Sequence, residues 1–176
     1  MVLRGSIHVR RMRPIVTRIV RIIIVLLALG AASSLAVAVE GTRWWSRPEV
    51  SIGPASSSQC FGGECQRASL DWVPDVDGTW IRIGVATWGA GLVSAACAIG
   101  LAAALASKRG GRLLARMMIA AALAAAIVGV LFIAKFPGVP GMSLDAGALL
   151  YFGGVIVAAL LAITTLRLSR APAGTV

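Results

Sequence analysis

The sequence predicts an all-α membrane protein: a four-helix transmembrane bundle with a small disulfide-stapled β-sheet in the first extracellular loop. Three observations predict it. The chain is 58% hydrophobic and only 14% charged, with a mean hydropathy of +0.87, more apolar than a soluble domain needs to build its core. Four stretches, 22–39, 83–107, 117–134 and 146–166, contain no Asp, Glu, Lys, Arg or His, and each reaches the roughly 18 residues of a membrane-span candidate. Between the first two stands "SQCFGGECQ", 58–66, in which Cys60 and Cys65 bracket a Gly-Gly pair.

Residues 1–18 are a basic arm, and the apolar run after it is the first span, 19–39. The arm and its junction carry Arg4, Arg10, Arg11, Arg13, Arg18 and Arg21 without an acid. The connection 107–112 carries Lys108, Arg109 and Arg112, with Arg116 just beyond it, and Arg167 and Arg170 lie in the tail 167–176. All seven acids fall on the other side. The positive-inside rule therefore places both termini and the 107–112 loop in the cytoplasm, which describes a multi-pass protein of the cell's inner membrane. The net charge of +10 does not imply nucleic acid, because the basic residues flank apolar runs rather than line one face. The first span has a second reading: its charged flank, apolar run and "AVA" at 36–38 also describe a cleavable signal peptide. The length of the basic arm, and apolar character continuing through Val39, favour a retained span.

The extracellular loop 40–81 holds Trp44, Trp45, Trp72 and Trp80, with Trp88 just inside the second span. Tryptophan concentrates at membrane interfaces. The pieces "TRWW" (42–45), "EVSI" (49–52) and "ASLDWV" (68–73) favour strands, separated by Pro48, "GPASSS" and "PDVDG", which are turn chemistry. A small antiparallel sheet follows, marginal without packing and a staple. Gly62 and Gly63 suit a tight hairpin that sets Cys60 opposite Cys65, and a disulfide closing so short a loop contributes about 2 kcal/mol. Two alternatives stay open: a thiol-disulfide redox centre, and free or intermolecular thiols. Zinc would need four ligands, and Cys60, Cys65, Cys97 and His8 cannot converge, so neither metal nor cofactor is expected. Adjacent strand residues point to opposite faces, so of Trp44 and Trp45 one is expected to anchor and the other to face a partner.

The second span, 82–106, and the third, 113–135, have no ionisable interior residue, which argues against proton-coupled transport. They are rich in small residues instead. Gly91/Ala95 and Ala96/Gly100 at i, i+4 spacing let helices approach closely, within one bundle or between protomers. The extracellular loop 136–145 leads into the fourth span, 146–166, where Gly153 and Gly154 admit the same two readings.

This order of parts resembles the claudin and peripheral-myelin-protein superfamily of four-span membrane proteins. Trp44/Trp45 stand where that family has its early loop tryptophan, Cys60 and Cys65 where it has a cysteine pair, and Arg82 where it has an arginine before the second span. "DAGALLYFGG", 145–154, is similar to the family's segment entering the fourth span, with Asp145, Gly147, Tyr151 and Gly153 as its acid, glycine, aromatic and further glycine. No "GLW" precedes Cys60, and the cysteines stand closer together than in typical claudins, so barrier or pore activity is not carried over. The Ala/Gly/Val/Arg-rich, Lys-poor composition points to a bacterial chain. The resemblance implies association through the outer loops.

The functional expectation is a non-enzymatic protein of the lipid bilayer. Its outer loop contacts a second copy or another membrane or envelope protein, with Trp44, Trp45, Trp72 and Trp80 at the interface. The alternatives are a membrane redox protein using Cys60/Cys65 and an accessory subunit of a transporter or channel.

Overall fold

A computed structural model describes residues 6–41, 43–73, 76–107 and 111–169, with side chains from Arg18 onward. The start of the basic arm, residues 108–110 of the inner loop, Pro74, Asp75 and the tail from Arg170 lie outside the described residues. Helix α1 (Ser6–Glu40) takes in part of the arm as well as the first apolar run. It is followed by α2 (Gly78–Ala106), α3 (Arg112–Ala134) and α4 (Ala146–Leu168). All four are long and apolar enough to cross a membrane. Helix α1 packs on α2 and α4, and α3 packs on the same two.

Side-chain size explains the closeness of the bundle. The buried positions of α2 and α3 include Gly84, Gly91, Ala95, Ala98 and Ala102, then Ala115, Ala122, Ala125 and Gly129. Leu and Ile residues such as Leu26, Ile99, Leu123 and Leu160 face outward instead. Small residues inside and branched aliphatics outside reverse the arrangement of a soluble bundle. Ala95 is on the inner face, and a Cβ added to Gly91 would meet Val39 of α1 and the Tyr151 ring of α4. A Cβ added to Gly154 would meet Leu35 of α1. The second stripe and Gly153 do not line this interior. Ala96 is exposed, Gly100 makes only ordinary contact with Leu114 of α3, and Gly153 is exposed with nothing within 4 Å of its added Cβ. A helix turns 100° per residue, so Ala95 and Ala96 cannot share a face.

The sheet caps one end of the bundle. Strands β1 (Trp45–Arg47), β2 (Val50–Ile52), β3 (Ser57–Phe61) and β4 (Glu64–Ala68) form an antiparallel meander, and β5 (Ser143–Leu144) adds to the free side of β1, giving the order β4-β3-β2-β1-β5. Three differences from the sequence reading have local causes. The segment 68–73 is not a strand beyond Ala68: Val73 N–H bonds to Leu70 C=O in a turn. The second connection joins the sheet because Asp145 N–H donates to Trp44 C=O at 2.8 Å and brings its chain alongside β1. Helix α2 starts at Gly78, before the expected 82, because Asp77 caps it, with Oδ1 accepting Trp80 N–H at 2.7 Å.

Candidate functional site

Beneath the sheet lies an aromatic cluster that ties every helix to it. Trp44 is fully buried, its ring centroid 5.0 Å from Tyr151 of α4 and 5.5 Å from Phe132 of α3. Trp45 stacks on Phe136 at 4.2 Å, and Trp80 of α2 stacks on Phe132 at 4.8 Å. Both members of the Trp44/Trp45 pair are thus buried, and neither faces a partner. The alternation that would separate them applies within a strand, and Trp44 precedes β1 at the corner where the chain leaves α1.

The indole N–H groups explain why tryptophan stands at these places. The last carbonyls of a helix have no intrahelical donor. Trp44 Nε1 donates to Ala38 C=O at 2.8 Å in the last turn of α1, and Trp80 Nε1 donates to Phe132 C=O at 3.1 Å in the last turn of α3. Burial of Trp44, Trp45 and Trp80 takes them out of a partner's reach. Trp72, half-buried, donates from Nε1 to Ser57 Oγ at 2.8 Å, and Ser57 in turn donates to Ser69 C=O. That fastens the base of the β3–β4 hairpin. Trp88 of α2 donates to Glu40 Oε1 at 3.0 Å, while Arg67 of β4 donates to Glu40 C=O at 3.0 Å.

Deeper in the bundle, the Tyr151 hydroxyl lies 3.2 Å from Thr87 C=O and 3.1 Å from Ala125 C=O, sharing its proton between two helices. Thr87 Oγ1 bonds to its own helix at Ile83 C=O and to Val128 C=O of α3. At the sheet end Gly147 N–H donates to Arg43 C=O at 2.9 Å, and its missing Cβ leaves room for that approach. Asp145 caps α4 through a 2.6 Å bond from Ala146 N–H to Oδ1. That bond, a second from Ser46 and the nearby Arg43 hold its carboxyl below the usual Asp value. Arg82 of α2 is exposed.

On the far side of the sheet from the bundle, Cys60 and Cys65 are register partners on β3 and β4 and form a disulfide, with Gly62 and Gly63 both at positive φ between them. The hairpin contributes little to the core. Phe61 at its tip is 64% exposed, and β4 exposes every residue except half-buried Ala68. Beside β1, a cleft of about 490 Å³ is lined by Arg43, Arg47, Glu49, Asp145 and the hydroxyls of Ser46 and Ser143. Two guanidinium groups and two carboxylates line it, so the cleft is of mixed charge. Among the described residues no cluster of three His, Cys, Asp or Glu is placed to hold a metal ion.

Sequence reasoning passed over Phe61. Its signal was an aromatic side chain set beside a Gly-Gly turn, where the chain reverses and nothing can cover it. It also passed over Ser57, whose burial depends on Trp72 reaching back across the hairpin base.

The fold and the site together define a bundle of four helices, each long and apolar enough to cross a membrane, closed at one end by a disulfide-stapled sheet. Compared with known proteins, the chain matches no family model and no curated protein.

Proposed function

We propose that the chain is a non-enzymatic integral membrane protein of the inner cell membrane, with both termini cytoplasmic and the sheet outside. Its layout resembles the claudin superfamily, and its stapled hairpin mediates self-association or contact with another membrane or envelope protein. The outward Leu and Ile faces and the small-residue interior support membrane insertion. The basic residues gathered at the end opposite the sheet support the orientation. A retained α1 is supported by its role in the core, where Leu35 and Ala38 are buried and Ala38 accepts the Trp44 indole.

The observation that carries the contact reading is a braced yet uncovered hairpin. The disulfide, the Trp72–Ser57 bond and the Arg67–Glu40 contacts hold β3–β4 in place, while Phe61 is largely exposed and, among the described residues, no strand pairs with the outer edge of β4. An open strand edge beside an exposed aromatic tip can accept a strand from a partner.

The test is crosslinked oligomer or partner recovery from native membranes, normalised to folded protein. Phe61→Ser, and separately the pair Glu64→Lys with Gln66→Lys, are expected to lower recovery severalfold at unchanged yield, since a hot-spot aromatic contributes about 2 kcal/mol and edge lysines oppose strand addition. Full association in both variants would overturn the hairpin surface. If association is lost instead in Ala96→Leu or Gly153→Leu, lateral helix packing as an accessory subunit replaces it. Alkylation trapping that finds Cys60/Cys65 partly reduced in growing cells would replace it with redox exchange.

A further inference from the structure

At the end opposite the sheet, a crevice of about 460 Å³ opens between α1, α2 and α4. Its walls are apolar: Val20 and Ile24 of α1, Leu105 of α2 and Leu168 of α4. Arg21, Ser169 and Thr165, whose hydroxyl donates to Leu161 C=O of its own helix, add the polar groups. Arg21 is half-buried, and among the described residues no carboxylate pairs with it. Arg18 lies one turn earlier on α1, Arg167 lies near the end of α4, and Arg112 reaches Ser169 C=O at 3.4 Å. The described acids, Glu40, Glu49, Glu64, Asp71, Asp77 and Asp145, stand in the sheet, its loops and the helix ends beside it. Among the described residues, this half-buried cation over an apolar slot therefore has no counter-ion.

We propose that this crevice is a binding site for an anionic phospholipid of the cytoplasmic leaflet, with an acyl chain along Val20, Ile24, Leu105 and Leu168 and the phosphate at Arg21. The inference rests on the membrane reading above. Charge complementarity selects the occupant: a zwitterionic lipid would leave Arg21 facing a neutral headgroup, and a free anion would leave the apolar walls uncovered. Basic pockets between helices at the cytoplasmic face are suited to phosphate headgroups, and a basic side chain in contact with the headgroup strengthens anionic-lipid binding about fivefold.

The experiment is native mass spectrometry of the full chain, purified from membranes into detergent and titrated with phosphatidylglycerol, with phosphatidylcholine of the same acyl chains, and with inorganic phosphate. Wild type is expected to retain phosphatidylglycerol over phosphatidylcholine. Arg21→Gln should lose that preference about fivefold, whereas Arg167→Gln, at the same end but outside the crevice, should keep most of it. Leu168→Trp fills the slot from an exposed position that folding does not need, and it should lower retention of both lipids. Equal loss in Arg21→Gln and Arg167→Gln would show diffuse surface charge and overturn the site. Undiminished retention in Leu168→Trp, or phosphate competing as strongly as lipid, would overturn the acyl slot. Alkaline carbonate extraction separates the two readings: a chain released from membranes overturns both, and an integrated chain whose crevice variants bind like wild type overturns this one alone.

Discussion

Gly147 and Gly153 lie on the same helix in opposite surroundings. A Cβ on Gly147 would stand 2.5 Å from the Arg43 carbonyl oxygen, a backbone atom that cannot rotate away, and 2.9 Å from the Trp44 ring. A Cβ on Gly153 meets nothing within 4 Å. Overpacking costs about 1–3 kcal/mol, whereas Gly→Ala at an open helical position removes a penalty of up to about 1 kcal/mol. Gly147→Ala is therefore expected to lower the thermal midpoint in detergent, and Gly153→Ala to leave it equal or raised. The same midpoint for both would show that the chain linking α1 to β1 has freedom to move off α4. The chain signalled both residues alike, as glycines at an apolar helix start. Which one is crowded depends on Arg43, more than a hundred positions away.

At the scale of elements, the second connection is joined to the sheet as well as to α4. Asp145 caps α4, its N–H donates to Trp44 C=O, and Ser46 of β1 hydrogen-bonds its carboxylate. Because these partners favour the ionised form, the folded pKa lies below the ordinary value of 3.8. The stabilisation is accordingly present at pH above 3.8 and is lost as pH falls through the lower folded value. The carboxyl is well solvated, so the effect is small. Asp145→Asn keeps a capping oxygen without the charge. The gap in thermal midpoint between wild type and Asp145→Asn is expected to narrow as pH falls below 3.8, and a constant gap would overturn the ionic contribution. The Cys60–Cys65 hairpin was the most legible element. Its Gly-Gly turn and facing cysteines are local chemistry, and the structure shows the pair bonded with Gly62 and Gly63 at positive φ. Strand β5 was not legible: two residues, Ser143 and Leu144, carry no periodicity, and they pair only because α4 begins beside β1.

For the molecule as a whole, the faces that α2, α3 and α4 turn outward decide the solvent. Ile156, near the middle of α4, is 58% exposed. In water, an arginine at such a position is harmless. In the centre of a bilayer it costs about 2.5–3.5 kcal/mol on insertion scales. Ile156→Arg is therefore expected to reduce membrane integration sharply, measured as the fraction resistant to carbonate extraction. Unchanged integration, or improved yield as a soluble species, would overturn the bilayer reading and with it the lipid crevice.

The number and rough extent of the helices, their charge asymmetry and the stapled hairpin were all legible in the chain before any packing was known. Each follows from composition over a window or from chemistry within a few residues, and neither depends on what packs against it. Tertiary structure alone decided that Trp44 and Trp45 both turn inward, that Ala95 packs while Ala96 does not, and that the second connection completes the sheet. In an apolar chain nearly every residue can be buried, so hydropathy no longer separates inside from outside. The choice passes to fit: small side chains where helices touch, and indole N–H groups where helix ends leave carbonyls without donors. Such fit is a property of pairs of elements and is set only when the chain brings them together.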